Sequence, residues 1–171
     1  MLTEKDFDGI IKEYGRSLRT ICINLLHDTS NAEDVYQEVL LKIWKNIGSF
    51  RGESSVKTWV TRIAVNVAIT GLNREKKKKK IFLPLFPAER KIPSTDDPGK
   101  AAEISQKVEF FKKFFQTLSD TEKALVTLYL EEYTTAEMAG ITGLTEANVR
   151  VRIHRLKLKV KEDWERNYES R

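Results

Sequence analysis

Apolar residues recur along most of this chain at intervals of three and four, the period of a helix that buries one face. Over residues 3–26, Phe7, Ile10, Ile11, Tyr14, Leu18, Ile21, Ile23 and Leu25 keep that spacing, with a start signal at Thr3–Asp6 and a break at His27-Asp28-Thr29. Ser30-Asn31-Ala32-Glu33 reads as a capping box opening a second helix to about Ile47. Its core face is Val35, Val39, Leu40, Ile43 and Ile47, with Tyr36 among them, and its opposite face is Asp34, Gln37, Glu38, Leu41, Lys42 and Lys45. A lone outward leucine is ordinary on a protein surface, but polar residues frame Leu41 as they would an anchor for a partner. The turn-rich loop Gly48–Ser55 leads to a third helix, about Val56 to Asn73. Val56, Val60, Ile63, Ala64 and Val67 are expected inward, and Thr58, Arg62, Val65, Asn66, Ile69 and Asn73 outward. Trp59 lies at the border, where core packing competes with a stacking role.

The pattern then stops. Arg74-Glu75 and the run Lys76–Lys80 precede all four prolines, Pro84, Pro87, Pro93 and Pro98, which marks a linker. The lysines suit either a solvated helix end or a hold on a phosphate backbone, and Leu83, Leu85 and Phe86 are more apolar than a free tether requires. Helical spacing resumes near Ala101 with Val108, Phe110, Phe111, Phe114, Phe115 and Leu118, and Ser119–Glu122 starts a further helix carrying Leu125, Val126, Leu128, Tyr129 and Leu130. No strand pattern of any length occurs. The expected fold is all-α: two small helical domains, residues 1–80 and 104–171, joined by a Pro-rich linker over 81–103.

Thr134-Thr135-Ala136-Glu137 is another capping box, starting a short helix that ends near Ile141. Counted from Thr135, a small residue stands fifth (Ala139), a turn glycine ninth (Gly143) and a β-branched residue fifteenth (Val149). This is the spacing of a helix-turn-helix: room where two helices cross, a position free to take positive φ, and a buried anchor. Thr145 then caps a second helix. On it Val149, Ile153, Leu156 and Val160 form the buried stripe, and Ala147, Val151, Arg155 and Leu158 point away. Arg150, His154, Lys157 and Lys161 line one flank, Arg152 and Lys159 the other. After Glu146 no acid occurs until Glu162, whereas a merely solvated face mixes both signs, so this one suits a polyanion.

Charge and composition narrow the partners and exclude some chemistry. The 171 residues carry a net charge of +5, but 25 acidic residues make the basic character local. The single cysteine, Cys22, excludes an intrachain disulfide and a cysteine-based zinc site and fits a reducing cytoplasm. No signal-peptide core and no apolar run near ~18 residues is present, so a cytoplasmic protein without membrane insertion is expected. His27 and His154 are isolated, and neither metal-ligand spacing nor a Gly-rich phosphate loop occurs. Neither an enzyme nor a cofactor or metal site is expected.

At these residues the chain resembles bacterial RNA polymerase sigma factors of the extracytoplasmic-function, or group IV, subclass. AEDVYQEVLLKIW (Ala32 to Trp44) resembles that family's second conserved region, FRGESSVKTWVTRIAVNVA (Phe50 to Ala68) its segment that melts and reads the -10 element, and Leu118 to Lys157 its fourth region. The resemblance implies a transcription initiation factor whose first domain binds the polymerase clamp and the -10 element and whose second binds the flap and the -35 element. By that similarity Asp34, Gln37, Glu38 and Leu41 meet the clamp coiled coil of the beta-prime subunit. Phe50, Arg51, Gly52, Glu53, Ser54 and Ser55 receive an extruded -10 base, with Thr58, Trp59, Arg62 and Asn66 along the same strand. Thr145, Asn148, Arg150, Val151, Arg152, His154 and Arg155 meet the -35 duplex, and the beta flap meets the second domain. An anti-sigma factor is a further expected partner. Housekeeping relatives carry two adjacent aromatics where this chain has Trp59-Val60, which implies weaker melting. Between Lys80 and Ala101 there is no room for another folded unit, which implies the minimal subclass. The competing reading, a stand-alone helix-turn-helix regulator, predicts tight duplex binding without polymerase, but the first domain offers no obvious effector pocket or dimer seam.

Overall fold

A computed structural model describes residues 2–26, 29–78 and 98–169. Helices α1 (Phe7–Leu26), α2 (Thr29–Asn46) and α3 (Val56–Lys78) pack on one another; α4 (Pro98–Thr117), α5 (Asp120–Leu130), α6 (Thr135–Thr142) and α7 (Glu146–Trp164) form a second group. No strand occurs among the described residues. Short 3-10 turns at Glu4–Asp6 and Ile47–Ser49 flank the first bundle, and a π turn, Glu165–Glu169, ends the second.

The apolar spacing builds the first core. Leu18, Ile21, Leu25, Val39, Ile43, Val60 and Val67 are fully buried where the three helices meet. Cys22 lies among them, and burial pushes its thiol up to about 12, so it packs as a small apolar side chain. Helix α2 begins at Thr29, one residue ahead of the Ser30 expected to cap it. Helix α3 runs past Asn73 to Lys78, since nothing in 74–78 opposes a helix. Of the linker expected over residues 81–103, residues 81–97 lie outside the described residues, and residues 98–103 are instead the first turns of α4, which begins at Pro98, a position where proline's missing N–H breaks no helix bond.

The second bundle starts its helices as the capping boxes require. Ser119 and Glu122 exchange hydrogen bonds at the head of α5, as do Thr134 and Glu137 at α6. Those from Ser119 hold the Glu122 carboxyl below its ordinary range. Phe110 ties α4 to α7 through an edge contact with Trp164, ring centroids 5.1 Å apart. Helix α5 ends in a Schellman turn: Tyr133 N donates to the Leu128 carbonyl and Glu132 N to that of Tyr129. The left-handed residue of that turn is Glu132 (φ 60°) where glycine is usual, a strained conformation for a residue with a side chain.

Candidate nucleic-acid and polymerase interfaces

The helix-turn-helix forms as its spacing predicts. Gly143 adopts φ 74° and donates its N–H to the Ala139 carbonyl, closing α6, while Thr145 Oγ1 accepts from Asn148 N, 3.2 Å, opening α7. Val149 is fully buried and Leu156 nearly so, with Ile153 and Val160 half-buried, so the stripe docks on the bundle. Asn148, Arg150, Val151, His154 and Arg155 are consequently exposed, and Val151 keeps 46% of its surface open between the cations. Arg150 pairs with Glu146 one turn back at 3.3 Å, and Arg152, half-buried, donates to Asn148 Oδ1 at 3.4 Å. These are surface contacts that solvent screens, easily exchanged for phosphate. Lys157 and Lys159 stand over the rings of Tyr129 and Phe114, 4.4 and 5.8 Å from the centroids, which fixes their stems along α7.

On α2 the outward strip is continuous. Asp34 and Gln37 are exposed, and Leu41 keeps 59% of its surface in solvent. Glu38 sits between Lys42 (3.7 Å) and Arg74 of α3 (3.2 Å), an arrangement that orients its carboxylate beside Leu41. The strip also includes a residue that the sequence reading did not single out. Trp44, one turn beyond Leu41, is 41% exposed and rests edge-on against Phe7 at 5.2 Å.

The loop before α3 encloses an open concavity of about 760 Å³ lined by Gly48, Ser49, Phe50, Arg51 and Gly52. Glu53 and Ser55 are exposed beside it and Ser54 is half-exposed. Trp59 is held edge-to-face on Phe50 at 5.4 Å, so the pair forms one wall rather than a free platform. Ser55 serves as the cap of α3: its Oγ accepts from Thr58 N at 3.1 Å and donates to Thr58 Oγ1 at 2.9 Å.

Two of the six positions expected outward on α3 are buried. Arg62 and Asn66 are exposed and Ile69 and Asn73 half-buried, but Thr58 and Val65 are closed off at 6% and 2%. Over Thr58 the cause is α6 of the second bundle, which packs on this face of α3. A Cβ added at Gly140 would lie 3.1 Å from Thr58 Cγ2, so α6 packs closely over Thr58 where that position has no side chain. Arg62 donates both Nε (2.8 Å) and Nη2 to the Gly140 carbonyl. Lys57 Nζ pairs with Glu137 at 2.8 Å and stands 4.3 Å from the centre of the Tyr133 ring. Burial drives the Glu137 carboxyl upward, but bonds from Lys57 and Thr134 prevail and hold it below its ordinary range. The Tyr133 hydroxyl, buried at the seam, meets Thr61 Oγ1 at 3.0 Å and Ser17 Oγ at 3.5 Å. Asn24 donates to Glu131 at 3.2 Å and Asn73 to Asp120 at 2.8 Å, extending the contact to both ends of α5. The sequence reading marked none of Lys57, Tyr133 or Gly140 as a contact residue.

Among the described residues no group of histidine, cysteine and carboxylates is arranged to hold a metal, and no helix is long and apolar enough to cross a membrane. His154 stands exposed on α7; His27 lies outside the described residues.

Comparisons with known proteins cover both bundles. The description "Sigma-70 region 2" matches residues 10–78 and "Sigma-70, region 4" matches residues 112–160. The ECF RNA polymerase sigma factor SigG of Mycobacterium tuberculosis (strain CDC 1551 / Oshkosh) is 36% identical over 98 residues, 57% of this chain but 25% of SigG, so the match spans about a quarter of that relative. The RNA polymerase sigma factor YlaC of Bacillus subtilis (strain 168) is 24% identical over 165 residues, covering 95% of this chain and 94% of YlaC. Among solved structures, the sigma factor RpoE in complex with the anti-sigma factor NepR from Bartonella quintana superposes with a TM-score of 0.69 at 22% identity, covering 95% of this chain and 99% of that one, a likeness of fold.

Proposed function

The chain belongs to the sigma-70 family, in its extracytoplasmic-function subclass, and from that premise we propose that it is a transcription initiation factor that binds core RNA polymerase and directs it to particular promoters. The observation that carries this reading is the pairing, on one chain, of an outward apolar anchor framed by polar groups on α2 with an outward face on α7 that holds no acid from Ala147 to Lys161. The first suits a protein partner and the second a polyanion.

In this reading residues 1–80 hold the polymerase clamp and the -10 element, residues 81–103 link, and residues 104–171 hold the flap and the -35 element. Leu41 enters an apolar site on the beta-prime clamp, with Asp34, Gln37 and Glu38 bonding around it. Helix α7 enters the major groove: Val151 and Arg155 reach base edges, with Thr145, Asn148, Arg150, Arg152 and His154 at the groove walls. The concavity at Phe50–Gly52, with Glu53, Ser54 and Ser55 at its rim, takes a base out of the stack. Unstacking costs a few kcal/mol that contacts in the pocket must offset. Asn66, Arg62, Thr58 and Trp59 track the same strand. The protein acts by binding rather than catalysis, needs no cofactor, and works where the polymerase is, in the cytoplasm. An anti-sigma partner is supported by the fold shared with RpoE, which was captured with NepR.

The experiment is run-off transcription from a promoter library with core polymerase alone and with this protein added. Discrete, protein-dependent start sites are expected. Transcription no different from core alone would overturn the proposal, and tight, selective duplex binding without polymerase would then favour the stand-alone regulator.

A further inference from the structure

Arg150, His154 and Lys157 follow one another along a single flank of α7, and all three are exposed. On that flank α7 faces the end of α5 and the start of α6. The three basic side chains, with Tyr129 and Thr135, rim a cleft of about 260 Å³ whose lining also includes the apolar Met138 and Ile153. Pockets that hold whole small molecules begin at roughly 300 Å³, so this one is better sized for a single charged group. Among the described residues no carboxylate lines it. Glu146, which pairs with Arg150 at 3.3 Å, stands one turn back on α7, outside the cleft. Basic groups gathered where no acid answers them repel one another, and an anion placed between them removes that cost.

Tyr129 directs Lys157 to this place. Its ring is exposed near the end of α5, and the Lys157 ammonium stands 4.4 Å from the ring centroid. A lysine is a point charge on a flexible stem, so on an open helix face its charge is spread over many rotamers. The ring's attraction for a cation at an exposed site favours the held position about two- to five-fold. We propose that a backbone phosphate of the -35 duplex sits in this cleft against Arg150, His154 and Lys157, and that Tyr129, which lies outside the recognition helix, sets the strength of that contact by holding Lys157 over it. This rests on reading α7 as the -35 helix. DNA is the occupant because the cleft opens beside the stretch from Ala147 to Lys161, which holds no acid and suits a polyanion. Tyr129 is thus a positioning residue that contributes affinity without sequence preference, since phosphates carry no sequence information.

The test follows binding of the full chain to a short, fluorescein-labelled random duplex by anisotropy, over a salt series from about 50 mM upward, with thermal unfolding showing that each variant is folded at the assay temperature. Tyr129→Leu is expected to weaken binding about two- to five-fold. Tyr129→Phe keeps the ring face, loses only the hydroxyl, and is expected to bind as the parent does. In a Lys157→Gln background Tyr129→Leu is expected to change nothing further, because no cation is left to hold. The salt slope counts phosphates neutralised, so Arg150→Ala and Lys157→Ala combined should lower it by about one unit rather than about two. A loss in Tyr129→Phe equal to that in Tyr129→Leu would make the hydroxyl the contact and overturn the positioning role, as would a Tyr129→Leu loss that persists with Lys157→Gln. Parent-like binding by Lys157→Gln alone, or a combined fall of about two units in slope, would overturn the shared phosphate. A parent that binds no duplex would sink the -35 reading together with the proposal, whereas failed run-off transcription with these results intact would overturn the sigma-factor reading and leave the phosphate site standing.

Discussion

Replacing Leu41 tests the polymerase interface with the least disturbance to the fold. The side chain is 59% exposed on α2, so most of its apolar surface is still available to a partner. Fully burying a leucine is worth about 1.5 to 3 kcal/mol, and the exposed share of that is about 1 to 2 kcal/mol. Leu41→Ala is therefore expected to weaken binding to core polymerase about 5- to 30-fold. Alanine is also the better helix former, so the melting temperature of the free protein should not fall. Leu41→Asp should do more, because a carboxylate brought into a desolvated contact beside Asp34 and Glu38 adds a cost of several kcal/mol. Binding is measured by competition: unlabelled variants displace a fluorescent parent from core polymerase, followed by anisotropy, with thermal unfolding of each variant in parallel. Leu41→Ala that competes as well as the parent would refute the assignment. So would a loss of affinity matched by a loss of thermal stability, since the side chain would then be serving the fold.

The remaining expectations concern α7, the seam and the strained turn. Arg155→Ala should cost ~1 to 3 kcal/mol at a matched -35 site and relax preference there, whereas Lys159→Ala should weaken all sequences alike and lower the salt slope by about one unit at most; equal losses of Arg155→Ala on matched and scrambled duplexes would make it a phosphate contact only. Glu132→Gly relieves a left-handed residue costing about 1 to 2 kcal/mol against about 0.5 to 1 kcal/mol of added chain entropy, so the urea midpoint should rise or hold, and a clear fall would show that the Glu132 side chain matters more than its backbone. The Glu137 carboxyl lies below its ordinary 4.5 in the folded chain, so its contribution is complete above pH 4.5 and is lost as acid titrates through the lower folded value. The melting temperature should therefore change little on this account from neutral pH to 4.5 and fall below it, and the fall should be smaller in Glu137→Gln.

Elements that depend on neighbours in sequence were legible. The helix start at Ser119, the capping box at Thr134, the turn at Gly143 and the buried stripe of Val149 and Leu156 follow from local spacing, and so does the outward direction of Leu41, because each requires only a helix and one core. What was missed depends on a second body. Amphipathic reading divides a helix into an inside and an outside, and Thr58 belongs to the outside of the first bundle; the packing of α6 there closes it off. Tyr133 immediately precedes the cap of α6, where an apolar residue usually staples its own helix, so its position gave no hint that its hydroxyl crosses to Thr61. Gly140 lacks any turn signature, and its meaning lies in what stands opposite. The left-handed Glu132 carries no glycine to announce it.

The order in which the parts are made adds a kinetic consequence. Helices α1 to α3 pack with one another within residues 7–78, and all-helical units with such local contacts fold in microseconds to milliseconds. The elements that cover Thr58 lie roughly 60 residues further on, and at about 5 to 20 residues per second the ribosome needs about 3 to 12 s to deliver them. Every newly synthesised molecule thus passes seconds with its first bundle complete and the outer face of α3 bare, long enough for a binding partner at micromolar concentration to meet it by diffusion. The history of each chain, and not only its equilibrium, decides what reaches that face first.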